Sequence, residues 1–450
     1  MKTYLIATIV LLYTWQLESA RGQESELKSR GFIGAVPRAI TQADQDSLGL
    51  PDRRGAIITR LIPKSPGDRA GLRVGDVILQ YDDHAILDDA HMIARTRMYY
   101  AGEHIRVLLL RNGQPHTIRV QLDALARESS QEIDIQYTSF VSNGIRLRAV
   151  VTSPRNSAGK RLPALLIVSA LNNTRLIALP GYSVMRELAY KVTKARMRVM
   201  RFEMRGAGDS EGEDYRLCDF NAEVQDNIAA FQYLCARSDV DGKKVFVFGI
   251  STGGIVAAKV AATQETAGLI TSNTVGRTYY ERTAGTLRMQ VLLGGGSEIE
   301  ADTRIKEYLE LMVSVARGDS LSFILARNPT LARLVNSSGR IMDDRNTEYW
   351  RQQLNLNLAE VYGKVTEPAL IVYSEADFLT QLACHETIRD ALVRAGNPDV
   401  TLAVIPNADH TYAFAKDKKE SFENYKTGAF RPNPAAFEEI AKWLAVHMGR

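Results

Sequence analysis

The chain changes rhythm along its length. From Gly31 the hydrophobic positions fall in short β-like runs between turns: Ala56-Ile57-Ile58-Thr59, Val77-Ile78-Leu79-Gln80, and Ile105 to Leu110. Arg111-Asn112-Gly113 follows the third run as a hairpin signal, and Thr117 to Leu122 alternates apolar and polar. Asp88 to Tyr100 can form one helix. About five strands and one helix in ~95 residues predict a small sandwich-like or barrel-like module. Residues 123–132 are polar and lack period-two alternation, which puts a domain boundary there.

From Ile133 strands resume, with a turn at Ser142-Asn143-Gly144, and then strands and helices alternate. Leu165 to Ser169, Arg198 to Phe202 and Val245 to Phe248 read as strands. Tyr182 to Ala195, Asp219 to Ala236 and Ile255 to Ala262 read as helices. The second of these carries Phe220, Val224, Ile228, Phe231 and Leu234 on one face. Apolar strands alternating with helices predict a parallel sheet covered on both faces. One interruption stands out. Roughly 97 residues separate the strand at Leu269–Thr271 from the one at Ala369–Tyr373, far more than a crossover needs. Glu300 to Arg317 and Asn346 to Val361 look helical within it, so a helical cap is expected at about 275–363. A helix at Cys384–Ala395, a strand at Thr401–Ile405 and a helix at Pro434–His447 close the order. The expected fold class is α/β: a mostly parallel sheet with helices on both faces and a cap, after a small mainly-β module.

The first 22 residues differ from the rest. Lys2 precedes an almost unbroken apolar run from Tyr4 to Trp15, and Ala20-Arg21-Gly22 offers small residues at −3 and −1 of a cleavage site. This is the layout of a secretory signal peptide. The competing reading is a membrane anchor, but a span needs ~20 apolar residues, and this run is shorter. The expectation is export, periplasmic or secreted, with no membrane span after cleavage near Gln23.

Composition narrows the function. The net charge of +4 is spread over interleaved acidic and basic residues, with no basic tract for nucleic acid. Three cysteines exclude a complete disulfide framework. Cys218 and Cys235 would flank one helix ~25 Å apart, too far to bridge. No Cys or His spacing suggests a metal site, and no cofactor is expected.

The chemistry gathers in the second module. Gly249-Ile250-Ser251-Thr252-Gly253 is a G-x-S-x-G, a weak motif alone and compatible with an ordinary strand–helix turn. Here a strand precedes it and a helix follows, the context in which the serine sits on a sharp turn. A serine nucleophile needs a base, and the base needs a carboxylate. Of His385, His410 and His447, only His410 follows directly on a strand, whereas the other two sit in expected helices. Asp377 follows the preceding strand, with Glu375 as the competing carboxylate. The strand ends of a parallel sheet converge, so Ser251, Asp377 and His410 can meet.

Two resemblances follow from these residues. Gly31-Phe32-Ile33-Gly34-Ala35 and Ser65-Pro66-Gly67-Asp68-Arg69-Ala70-Gly71-Leu72-Arg73-Val74-Gly75-Asp76-Val77-Ile78-Leu79 resemble the PDZ domains of bacterial periplasmic proteases, over about 31–125. The resemblance implies that Phe32, Ile33, Gly34 and Ala35 offer backbone N–H groups to a peptide C-terminus, the peptide then pairing with a sheet edge. The alternative is a domain that only packs on its neighbour. Residues 133–450 resemble α/β-hydrolases, including the stretch Arg201-Phe202-Glu203-Met204-Arg205-Gly206-Ala207-Gly208-Asp209-Ser210-Glu211-Gly212. That implies a triad of Ser251, Asp377 and His410, and an oxyanion hole from the N–H groups of Thr252 and Leu171. The loop Ser169-Ala170-Leu171-Asn172-Asn173 lacks the His-Gly of many relatives. The implied reaction is hydrolysis of a carboxylic ester in a small acyl substrate. The alternatives are an amide or peptide bond, and a peptide-binding scaffold with an inactive hydrolase domain. Arg277, Tyr279, Tyr280 and Arg282 either line the pocket or form a solvated helix start.

Overall fold

The computed structural model describes residues 27–168, 183–336, 339–342 and 344–449. The expected leader (1–22) and the Leu171 loop lie outside them.

The first module contains β1 Gly31–Phe32, β2 Ala35–Ala39, β3 Ala56–Leu61, β4 Val77–Tyr81, β5 His84–Ala85, β6 His104–Arg111, β7 Gln114–Gln121 and β8 Asp123–Ala124. The sheet runs β2-β3-β4-β6-β7 with β5 on β4, and β1 pairs separately with β8. Positive φ at Asn112 (50°) and Gly113 (74°) turns β6 into β7, as a two-residue hairpin requires. Ile58, Ile78, Ile105, Val107 and Leu109 form the core under the helix Asp89–Thr96.

That helix is shorter than expected. Asp88 caps it, and the chain beyond Thr96 turns to β-type contacts: Tyr99 O accepts from Gly31 N at 2.8 Å, and Tyr100 bridges to Arg30. A helix at Gln42–Leu48 was not expected, because it buries no residue and so has no apolar stripe. Its caps define it instead, with a reciprocal Thr41–Asp44 capping box and left-handed Gly49.

The second module is one eight-stranded sheet of β9 Ile133–Ser142, β10 Ile145–Pro154, β11 Leu162–Val168, β12 Arg198–Phe202, β13 Val240–Ile250, β14 Gly268–Ser272, β15 Ala369–Ser374 and β16 Val400–Ile405. The spatial order is β16-β15-β14-β13-β11-β12-β10-β9. β11 to β16 are parallel, and β10 is antiparallel to both β12 and β9. β14 and β15 are buried throughout, which is why they read as continuous apolar runs. Helices Phe220–Ala236 and Thr252–Ala261 cover one face, and Val184–Lys194 and Ala435–Met448 the other.

Between β14 and β15 the cap holds helices Tyr279–Leu293, Glu298–Arg317, Leu321–Arg327, Thr347–Leu354 and Leu358–Tyr362. The single helix expected over Asn346–Val361 is two. Asn355 ends the first while its side chain donates to Ala316 O, and Asn357 caps the next. Lys418–Thr427 adds a helix after β16 that sequence periodicity missed, since only Ser421 in it is buried.

The modules are joined by buried polar contacts. Glu128 of the connecting segment pairs with Arg201 of β12 at 2.5 Å, with both side chains almost fully buried. Arg148 Nη2 donates to Leu27 O at 2.7 Å, and Asp209 accepts from Arg30 N at 2.8 Å. The Arg205–Gly212 loop thus faces the first module.

Candidate active site

Ser251 is the turn between β13 and the helix Thr252–Ala261, with φ 55° and ψ −131°. A non-glycine residue held there stores roughly 1–3 kcal/mol of backbone strain. The flanking glycines make the turn feasible. A Cβ on Gly249 would lie 2.1 Å from Gly253 O, and one on Gly254 would lie 2.4 Å from Thr274 Oγ1. Ser251 N donates to Ser272 O at 2.9 Å, while Gly254 N and Thr274 Oγ1 both donate to Ser251 O. The turn is therefore pinned to the end of β14 as well as to its own helix.

His410 and Asp377 meet. His410 Nδ1 lies 2.8 Å from Asp377 Oδ2. Asp377 is fully buried, and its carboxylate also accepts from Leu379 N (2.7 Å), Thr380 N (3.1 Å) and the Thr380 hydroxyl. Burial opposes its charge, but the His410 imidazole and these donors outweigh burial and hold the carboxyl below the ordinary range. With Nδ1–H engaged by Asp377, His410 Nε2 is left as the acceptor. Glu375 is exposed, and among the described contacts only its backbone N–H is tied, to Ile405 O.

The other two histidines have separate surroundings. His385 is fully buried, with Nδ1 2.9 Å from Gln381 O, so Nε2 accepts from Thr274 N at 3.2 Å. Burial pushes its pKa down to about 4. It is a packing residue that also holds the Thr274 loop under Ser251. His447 stacks on Trp443 at 3.9 Å and lies 3.2 Å from Asp399. The strand-end rule that selected Asp377 would also have found Asn273 and Thr274 after β14. Asn273 Nδ2 donates to His410 O at 3.0 Å and to Ser374 Oγ at 2.9 Å, locking the histidine's loop.

Ser251, Thr252 and His410 line a cavity of about 660 Å³ under the cap. Tyr279 and Arg282 line it as well, whereas Arg277 is exposed and Tyr280 is not among the lining residues. The helix Lys418–Thr427 supplies Asn424 and Tyr425 to the wall. Among the described residues no cluster of His, Cys, Asp and Glu could hold a metal ion.

In the first module Ile33 is buried and its carbonyl accepts from Gly67 N at 2.8 Å. Gly34 has φ 77°, and a Cβ there would lie 2.1 Å from Ser65 Cβ. Ala35 opens β2, which among the described residues pairs only with β3, leaving its other edge open beside the helix Asp89–Thr96.

A family model described as serine aminopeptidase, S33, matches residues 181–417, more than half of the chain. A PDZ-domain model matches residues 31–122. A probable periplasmic serine endoprotease DegP-like of Bartonella henselae is 28% identical over 120 residues, 27% of this chain and 24% of that protein. Its counterpart in Marinomonas sp. is 24% identical over 193 residues, 38% of this chain and 40% of that one. The chain thus spans less than half the length of either relative. Among solved structures, a Pyrococcus furiosus esterase has TM-score 0.46 at 14% identity, covering 72% of this chain and 98% of that one. The chain belongs to the serine aminopeptidase S33 family of α/β-hydrolases and carries a PDZ domain ahead of its hydrolase domain.

Proposed function

We propose that the chain is an exported serine hydrolase that cleaves a carboxylic ester through an acyl-enzyme at Ser251. The observation that carries this reading is the contact of buried Asp377 with His410 Nδ1, in a cavity that His410 shares with the strained Ser251 turn. His410 Nε2 takes the hydroxyl proton as Ser251 Oγ attacks the acyl carbon. It then returns the proton to the leaving alcohol as the ester C–O bond breaks. Water, deprotonated by the same nitrogen, releases the acid and restores Ser251. Asp377 keeps Nδ1 protonated throughout. The N–H of Thr252, at the start of the helix, is assigned to the oxyanion, with the Leu171 N–H as its partner. The reading extends to export, on the character of residues 1–22, and to peptide C-termini as ligands of the PDZ domain.

A fluorophosphonate probe tests the site, its phosphorus standing in for the acyl carbon. Labelling at Ser251 that Ser251→Ala abolishes is expected. Asp377→Asn should lower turnover by ~10³-fold or more, through the wrong tautomer, and Glu375→Gln by far less. An unlabelled protein that hydrolyses neither esters nor amides would remove the enzyme reading. The exported form should begin near Gln23, and intact Met1 in a cytosolic fraction would overturn export.

A further inference from the structure

Among the described residues, one charge in the cavity over Ser251 has no counter-charge. Arg282 lines it, partly buried, and its Nε is buried without a hydrogen-bond acceptor. Among the described residues it forms no ion pair. The contrast with other buried arginines is plain. The fully buried Arg148, Arg201 and Arg345 also leave Nε without an acceptor, but each has a carboxylate partner, in Asp209, Glu128 and Glu223. Half-buried Arg95 and Arg97 share the bare Nε, but the first lies over the Tyr99 ring at 5.8 Å and the second donates to Gly208 O. Nor does local structure account for a cation at this position. Arg282 sits at the start of the helix Tyr279–Leu293, after its N-cap Thr278. A positive charge there opposes the helix dipole.

The cavity's own acid does not balance it. Asp409 is the single lining carboxylate among the described residues. Its Oδ1 already accepts from Thr411 N (2.8 Å), Thr411 Oγ1 (3.0 Å) and Ala413 N (2.8 Å), and burial pushes its pKa up. A substrate with a protonated amine would therefore meet an uncompensated cation and a single carboxylate whose Oδ1 is already held by three donors. An anion would meet the reverse. Trp350, Phe378 and Phe430 supply apolar wall for the rest of the molecule.

We propose that Arg282 binds a carboxylate carried by the substrate remote from the scissile bond. The preferred substrates are then acid-bearing esters, such as half-esters of dicarboxylic acids. A planar guanidinium matches a carboxylate through two parallel hydrogen bonds, and its one charge neutralises it, whereas a phosphate dianion would stay half compensated. The inference rests on Ser251 as nucleophile for its orientation, but the charge argument concerns the cavity alone.

The test compares half-esters of succinate, glutarate and adipate with their neutral terminal-amide analogues, on the full chain, by kcat/KM. The wild type should favour at least one acid over its amide by about tenfold or more. Arg282→Gln should bring that ratio close to one, and Arg282→Lys should leave an intermediate ratio by keeping the charge without the fork. A wild-type ratio near one, or a ratio that Arg282→Gln does not move, would overturn the proposal. Should no ester turn over, binding of monomethyl glutarate and its amide to Ser251→Ala protein decides instead. Binding that prefers the acid and depends on Arg282 supports the assignment, and equal binding overturns it. Probe labelling at Ser251 is read separately, so failure of the hydrolase reading is distinguishable from failure of this one.

Discussion

At the scale of residues, the site depends on buried polar groups whose ionisation the fold controls in advance. His385 lies close under the Ser251 turn and is held neutral, with its pKa pushed down to about 4 by burial. The sign of its effect on stability follows. The unfolded imidazole takes up a proton near pH 6.5, while the folded one resists until about pH 4. Its contribution is therefore complete above ~6.5 and lost as pH falls towards 4. Urea midpoints measured across that window should fall more steeply for the wild type than for His385→Gln. Parallel slopes would show that His385 is not the group responsible. Much of this scale was legible in the sequence. Asp377 and His410 stand immediately after apolar strand runs, and a parallel sheet gathers such positions at one edge. Thr274 and Asn273 obey the same rule, but amide and hydroxyl side chains do not announce acid–base chemistry.

At the scale of elements, long strands and helices with continuous apolar faces were legible, whereas elements defined by capping alone were not. Gln42–Leu48 and Lys418–Thr427 bury almost nothing, so hydrophobic periodicity could not find them. The break at Asn355-Leu356-Asn357 rests on side-chain capping that competes with the helix at short range. The element with most to say about binding is β2. Among the described residues it has a partner on one side only, and the chain just before it is bent by Gly34 at φ 77°. An added peptide strand would pair along that edge, with its carboxylate at the Phe32–Ala35 turn. Full-length protein should bind peptides with a free C-terminus at micromolar Kd, and lose most of that affinity when the terminus is amidated. Equal binding of both forms, or none, would leave the domain a packing module.

At the scale of the whole molecule, the connecting segment and the second module share a charge pair that neither could bury alone. Arg201 of β12 and Glu128 of the connecting segment are an almost wholly buried pair. Removing one partner of such a pair costs about 3–5 kcal/mol, because the other charge loses its counter-charge. Glu128→Ala should therefore lower the hydrolase domain's melting temperature markedly, although Glu128 lies before its first strand. Glu128→Ala combined with Arg201→Met should recover part of the loss. A single variant as stable as the wild type would show that water reaches Arg201.

The contacts of residues 27–30 bear on the order in which the protein is made. Leu27 and Arg30 are anchored by Arg148 and Asp209, partners 121 and 179 positions further along. During synthesis the amino-terminal module emerges first and can build its own sheet. The start of that module has to wait, undocked, until β10 and the loop after β12 have followed it out and paired. The earliest residues of the described chain are thus among the last to find their places, and the seam between the modules closes from the later-made side.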